Sequence, residues 1–210
     1  MANANGVLDP AAMPAAPDTA ERPGAVILAR HGEPGLSRKV KVNAAGYRQW
    51  WAAYEAVGLA PDQAPPAGLK AACEKAGFIV ASTRPRSVET AKLLSRGRTF
   101  AEDPLLVEAP LPPPALPGWI KLSPRTWGLL SRTCWWFLDY HEHETRAQAQ
   151  VRADEAARQL AALASGGQDV LVVAHGFFNA MVGRALIRQG WRCIDGRGYR
   201  YWSARRYERP

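Results

Sequence analysis

The chain has 210 residues, 47% hydrophobic and 22% charged, with 18 Gly and 17 Pro. Those figures fit one globular domain with a core of its own, and exclude collagen-like, disordered and disulfide-built proteins. Net charge is +8, yet residues 184–210 hold eight arginines against Asp195 and Glu208, which leaves only +2 for the rest; a basic end of this kind fits an anionic partner or a solvated arginine-rich strand and tail.

Residues 1–22 are Ala/Pro/Asn-rich, without periodicity and without the pattern of a secretory signal, and are expected to form a flexible arm ahead of a domain at 23–210. Residues 25–29 (AVILA) read as a strand buried on both faces. A helix follows over 43–57 with Gly58 placed to end it, and a second over 67–76 stopped by Gly77. Residues 78–81 (FIVA) predict another buried strand, then a loop over 82–85 and a helix over about 86–95. A third short strand is expected at 105–108. The segment 110–117 has five prolines in eight residues, which excludes helix or central strand. Residues 119–138 hold four of the eight tryptophans and predict one or two amphipathic helices. Residues 145–164 are strongly helical, 169–174 (DVLVVA) form the clearest strand, a helix covers about 177–188, and 199–207 predict a final edge strand. Strands alternating with helices mean an α/β domain. No apolar run is long enough to span a membrane, and Cys73, Cys134 and Cys193 form no C-x-x-C pair, usage that fits a cytoplasmic protein with reduced thiols.

Two strands end alike. One runs into Arg30-His31-Gly32-Glu33 and another into His175-Gly176. Ligands of open α/β sheets gather beyond the carboxyl ends of the strands, so the two His-Gly pairs converge on one crevice if those strands are neighbours. Ser82-Thr-Arg-Pro-Arg86 follows a third strand and sets an arginine at a helix start, where free N–H groups favour anions. Glu108 follows the apolar run PLLV.

In order and spacing, R-H-G-E at residues 30–33, S-x-x-x-R-x-x-E-T-A at 82–91, the L-x-E ending at Glu108 and the His-Gly at His175 resemble the histidine phosphatase superfamily, the phosphoglycerate-mutase-like proteins. The resemblance spans roughly residues 25–180, and the segment His143-Glu144-Thr145 with the helix carrying Arg152 is similar to the element that precedes the last motif there. It implies a three-layer α/β/α sandwich with a mostly parallel mixed sheet and a small helical cap at about 110–145. It also implies hydrolysis of a phosphomonoester through a phosphohistidine at His31, without cofactor or metal. Arg30, Arg86 and His175 would hold the phosphoryl group, Glu108 would serve as acid and base, and Gly32, Ser82 and Gly176 would support the geometry. The partner would be a small phosphorylated substrate or a phosphoprotein.

Ser37 stands where the mutases of the superfamily carry Asn, and the loop at 34–42 lacks residues to grip a phosphoglycerate carboxylate; both features favour hydrolysis over mutase transfer. A phosphohistidine or phosphoserine protein phosphatase, and a polyanion-binding module using the basic C-terminal segment, are the alternatives; the intact motif set argues against the last, and no stable nucleic-acid or membrane partner is expected. His141-Glu-His-Glu144 has metal-ligand spacing but no third ligand set, and a polar turn explains it more simply. The tryptophan cluster at 119–137 is divided between core and substrate-facing roles. Lys39 and Lys41 could extend an anion-attracting mouth beside the nucleophile loop.

Overall fold

The structure, a computed structural model, describes residues 22–138, 143–196, 198 and 200–210; the expected arm at 1–22 lies almost wholly outside them. Six strands form one sheet in the order β3-β2-β4-β1-β6-β5. β1 (Val26–Arg30), β2 (Phe78–Ser82), β3 (Ala101–Asp103) and β4 (Val170–Ala174) run parallel, and β6 (Ala204–Glu208) and β5 (Arg192–Asp195) close one side antiparallel. Period-two alternation sorts the central strands onto two cores. Val26 and Leu28 of β1 and Val170, Val172 and Ala174 of β4 face α5 (Arg146–Ala164) and α6 (Gly176–Arg188). Ile27, Ala29, Leu171 and Val173 face α2 (Ala67–Lys75) and α3 (Pro85–Ser95). Each fully buried Val, Leu or Ile contributes about 1.5–3 kcal/mol, and this double burial is why these strands read as unbroken apolar runs.

Helix ends follow local chemistry. Asn43 caps α1 (Ala44–Ala56) by accepting from Gly46 N at 3.0 Å, and Thr145 and Gln148 form a reciprocal capping box on α5. Gly58 lies just past the end of α1, where a side chain would collide with the Glu89 carboxylate. Along α5, Ala149, Ala153, Ala156, Ala157 and Ala164 form a narrow stripe that lies close on the sheet.

Two expected strands differ from those found. The third is Ala101–Asp103 rather than 105–108: Pro104 lacks an N–H, Asp103 accepts from Leu105 N at 2.8 Å, and residues Pro104–Leu106 turn as a short 3-10 helix. The last strand is Ala204–Glu208, and it is internal, paired with β1 on one side and β5 on the other. β5 itself carries no apolar run and all four of its residues are exposed, which hid it from a reading by hydrophobic pattern. The basic end is partly neutralised within the fold. Arg206 pairs with Asp169 at 2.7 Å and with Glu208 at 2.7 Å, and Asp169 also accepts from Ala25 N at 2.7 Å.

Between residues 110 and 145 the only regular element among the described residues is α4 (Pro124–Phe137), one amphipathic helix capped by Ser123. It packs on α1 through Tyr47 and Trp127, apart from the two sheet cores, and enters the α5–α6 core through Trp135. Trp127 and Trp135 are fully buried, whereas Trp119 is exposed. Among the described residues no helix is long and apolar enough to cross a membrane.

Candidate active site

β1 and β4 are direct neighbours, with Arg30 in register with Ala174, so the two His-Gly pairs meet at the carboxyl edge of the sheet. The rings of His31 and His175 stand edge to face, 5.2 Å between centroids, and both side chains are buried. His31 Nδ1 lies 2.6 Å from the Gly32 carbonyl. A carbonyl only accepts, so Nδ1 carries the proton and Nε2 keeps its lone pair. Arg86 lies between the imidazoles: its Nε donates to His31 Nε2 at 3.3 Å and its Nη2 lies 3.3 Å from His175 Nδ1. A guanidinium only donates, so His175 holds its proton on Nε2, where Ser82 Oγ accepts it at 2.9 Å.

Arg86 is itself fixed by Tyr54 O at 2.8 Å and Glu55 at 2.8 Å, both at the end of α1. Pro85 opens α3 and sets Arg86 in its first turn. Gly32 N donates to Thr90 Oγ1 at 2.9 Å, and a side chain at Gly32 would run into the Trp202 indole; the residue is needed for that close approach. Arg30 stacks on Tyr201, 4.2 Å from the ring centre.

Glu108 reaches the same place from the opposite side. It accepts from Phe178 N at 2.9 Å and Phe177 N at 3.3 Å, the first turn of α6. Arg152 braces its approach, donating to the Leu105 and Val107 carbonyls while gripping Glu144 with both arms at 2.6 and 2.7 Å. A cavity of about 240 Å³ opens over these groups, lined by Arg30, His31, Arg86, Glu108 and His175 at its floor and by Trp50, Trp51 and Tyr54 on one wall.

A family model described as the histidine phosphatase superfamily (branch 1) matches residues 26–198. The chain belongs to that superfamily. Its fold is similar to that of a mycobacterial glucosyl-3-phosphoglycerate phosphatase, with 20% identity, 79% of this chain and 82% of the other covered, and a TM-score of 0.53. It is also similar to a phosphoserine phosphatase from Entamoeba histolytica, with 13% identity, 79% and 80% covered, and a TM-score of 0.50. No curated protein sequence matches it.

In this member of the superfamily the structure brings all of the sequence-derived site residues to one edge of the sheet: Arg30, His31, Gly32, Ser82, Arg86, Glu108, His175 and Gly176, the last as the first residue of α6. Sequence reasoning missed Tyr54 and Glu55, which hold Arg86, and Arg38, Arg125 and Arg132, which line the cavity; Thr90, quoted in the 82–91 motif without a role, holds Gly32. The aromatic wall also went unread, although its signal is there: Tyr47, Trp50, Trp51 and Tyr54 recur at helical spacing along α1. Of the two roles left open for the tryptophans at 119–137, the core one holds for Trp127 and Trp135, and the tryptophans that line the cavity are Trp50 and Trp51. His141 lies outside the described residues; His143 is exposed and Glu144 is committed to Arg152. Lys39 and Lys41 are exposed and do not line the cavity.

Burial, reinforced by Arg86 and Arg30, holds the His31 imidazole well below the usual histidine range; burial, then His31 and Arg86, does the same to His175. Both rings are therefore neutral in the folded protein at pH 6.5, whereas in the unfolded chain they begin to take up protons there. Stability is fully present above about pH 6.5 and falls as pH drops from there toward the depressed folded values, each ring costing about 1.4 kcal/mol per pH unit. Tm should decline between pH 7 and pH 5.5, a window above ordinary carboxylate titration. Replacing both histidines with Asn should flatten that decline, and an unchanged slope in the double variant would refute the assignment.

Proposed function

We propose that this histidine phosphatase hydrolyses a phosphomonoester through a covalent intermediate on His31 and without a metal ion. The observation that carries the reading is the His31 tautomer: Nδ1 is committed to the Gly32 carbonyl, and the Nε2 lone pair, which accepts only a long hydrogen bond from Arg86, lies at the cavity floor. A neutral imidazole so oriented is a competent nucleophile near pH 7.

When a phosphoryl dianion enters, Arg86 and Arg30 exchange their present contacts for its oxygens and stabilise the charge spread over them in an in-line displacement. The dianion favours protonated His175, whose Nδ1–H then donates to it as well. His31 Nε2 attacks phosphorus, the bond to the leaving oxygen breaks, and that oxygen takes its proton from Glu108. Water then attacks the phosphohistidine, Glu108 receives the water's proton, and the P–N bond breaks to release inorganic phosphate and restore His31. Helix α4, lying over α1 above the carboxyl edge of the sheet, serves as the cap. Guanidinium groups supply the electrostatic role a cation plays elsewhere, so hydrolysis of p-nitrophenyl phosphate should persist at full rate after exhaustive dialysis against EDTA. A rate that collapses on chelation and returns with a divalent metal would overturn the metal-independent mechanism. Phosphatase structures of similar fold support hydrolysis over mutase transfer, as does Ser37 at the mutase Asn position.

A further inference from the structure

Among the described residues, the cavity is lined by Arg30, Arg38, Arg86, Arg125 and Arg132 against one carboxylate, Glu108. Arg86 already has its own counter-ion in Glu55. A phosphoryl dianion at the floor offsets two positive charges, which leaves the cap side of the cavity with an excess. The two arginines on the cap side come from one face of α4: Arg125 and Arg132 stand a heptad apart, two turns along the helix, with Gly128 between them opening the wall.

Arg132 is the decisive residue. Its guanidinium is stacked over the Phe177 ring at 3.6 Å, which fixes its plane, yet Nη1 is buried and makes no hydrogen bond. A buried charged donor left unpaired is costly, and an anionic acceptor of the right reach relieves that cost. Arg132 and Glu108 line the same cavity, and Glu108 is the opposite charge that Arg132 feels most strongly, which puts Arg132 on the leaving-group side under the phosphatase reading.

We propose that Arg132 and Arg125 form a second anion subsite on the cap helix, and that the substrate is a phosphomonoester carrying a further carboxylate or phosphate on its leaving-group side. The proposal rests on the phosphatase reading of the same cavity. The loop at 34–42, which lacks carboxylate-gripping residues, is thereby replaced in that task by α4.

The test compares the affinity of the whole protein for methylphosphonate, phosphonoacetate and methylenediphosphonate by calorimetry, which needs no turnover. The added anion should tighten binding roughly tenfold or more over methylphosphonate, and the stronger of the two bifunctional compounds tells carboxylate from phosphate. Arg132→Met should bring the ratio to methylphosphonate close to one. Arg125→Gln, at the exposed rim and away from the Phe177 packing, should lower it in part, giving a second reading if the first variant fails to fold. Arg192→Gln on exposed β5 removes the same charge far from the cavity and should leave the ratio as it was. Equal affinities for all three compounds in the unmodified protein, or equal effects of the Arg125 and Arg192 variants, would overturn the subsite. Failure of the phosphatase reading shows separately, as absent p-nitrophenyl phosphate hydrolysis.

Discussion

His31→Ala should lower turnover by on the order of 10⁴–10⁶, the loss typical of removing a covalent nucleophile from a site that acts as a unit. In the same variant a quenched reaction with labelled substrate should yield no phosphoenzyme, whereas the unmodified protein should give one that is acid-labile and base-stable. His175 faces Ser82 with its protonated nitrogen and Arg86 with the other, and the remaining groups at the floor are guanidinium ions, which do not attack phosphorus, and the Glu108 carboxylate on the far side. A His31→Ala protein that keeps most of the original rate would rule out the mechanism.

Glu108→Gln should depress turnover of alkyl phosphates by ~10²–10⁴, the usual reach of general acid–base catalysis. Gln retains a carbonyl oxygen for Phe178 N, so the start of α6 stays capped and the loss is chemical rather than structural. With p-nitrophenyl phosphate the leaving group departs without much protonation, and single-turnover phosphorylation of His31 should suffer far less than with an alkyl ester. Dephosphorylation should slow equally for both, because the same phosphoenzyme is hydrolysed. Equal losses on the two substrates in the phosphorylation step would remove Glu108 as the acid.

The central sheet and the residues at its carboxyl edge were legible because each signal was local. An apolar run such as VLVVA names a strand buried on both faces, and a His-Gly pair at its end falls where α/β sheets gather ligands. What escaped the sequence was non-local. Glu55 is an ordinary helix-end acid until Arg86 arrives from another segment, and Thr90 is an interior helix residue until Gly32 docks on it. Arg132 reads as one more basic residue on an amphipathic helix, because nothing in its neighbourhood along the chain says that Nη1 will be buried at the wall of the cavity that Glu108 also lines. The strand at 105–108 was misread for a local reason, since the apolar pattern outweighed the proline at its head.

The position of β1 governs how this protein reaches its native state. Val26 pairs with Val170 on one side and with Tyr207 on the other, so the first strand acquires neither neighbour until nearly the whole chain is available. Pairings this distant carry a large loop-closure cost before any contact repays it, and they place the domain among slow folders. During that interval AVILA is an uncovered apolar strand with two open edges, the configuration most prone to pair with another chain. Deleting residues 201–210 would make the exposure permanent on one edge, and would also strip Tyr201 and Trp202 from around Arg30 and Gly32. The same C-terminal segment thus guards β1 against pairing with another chain and completes the surroundings of His31, so that the site is complete only once the last strand of the sequence is in place.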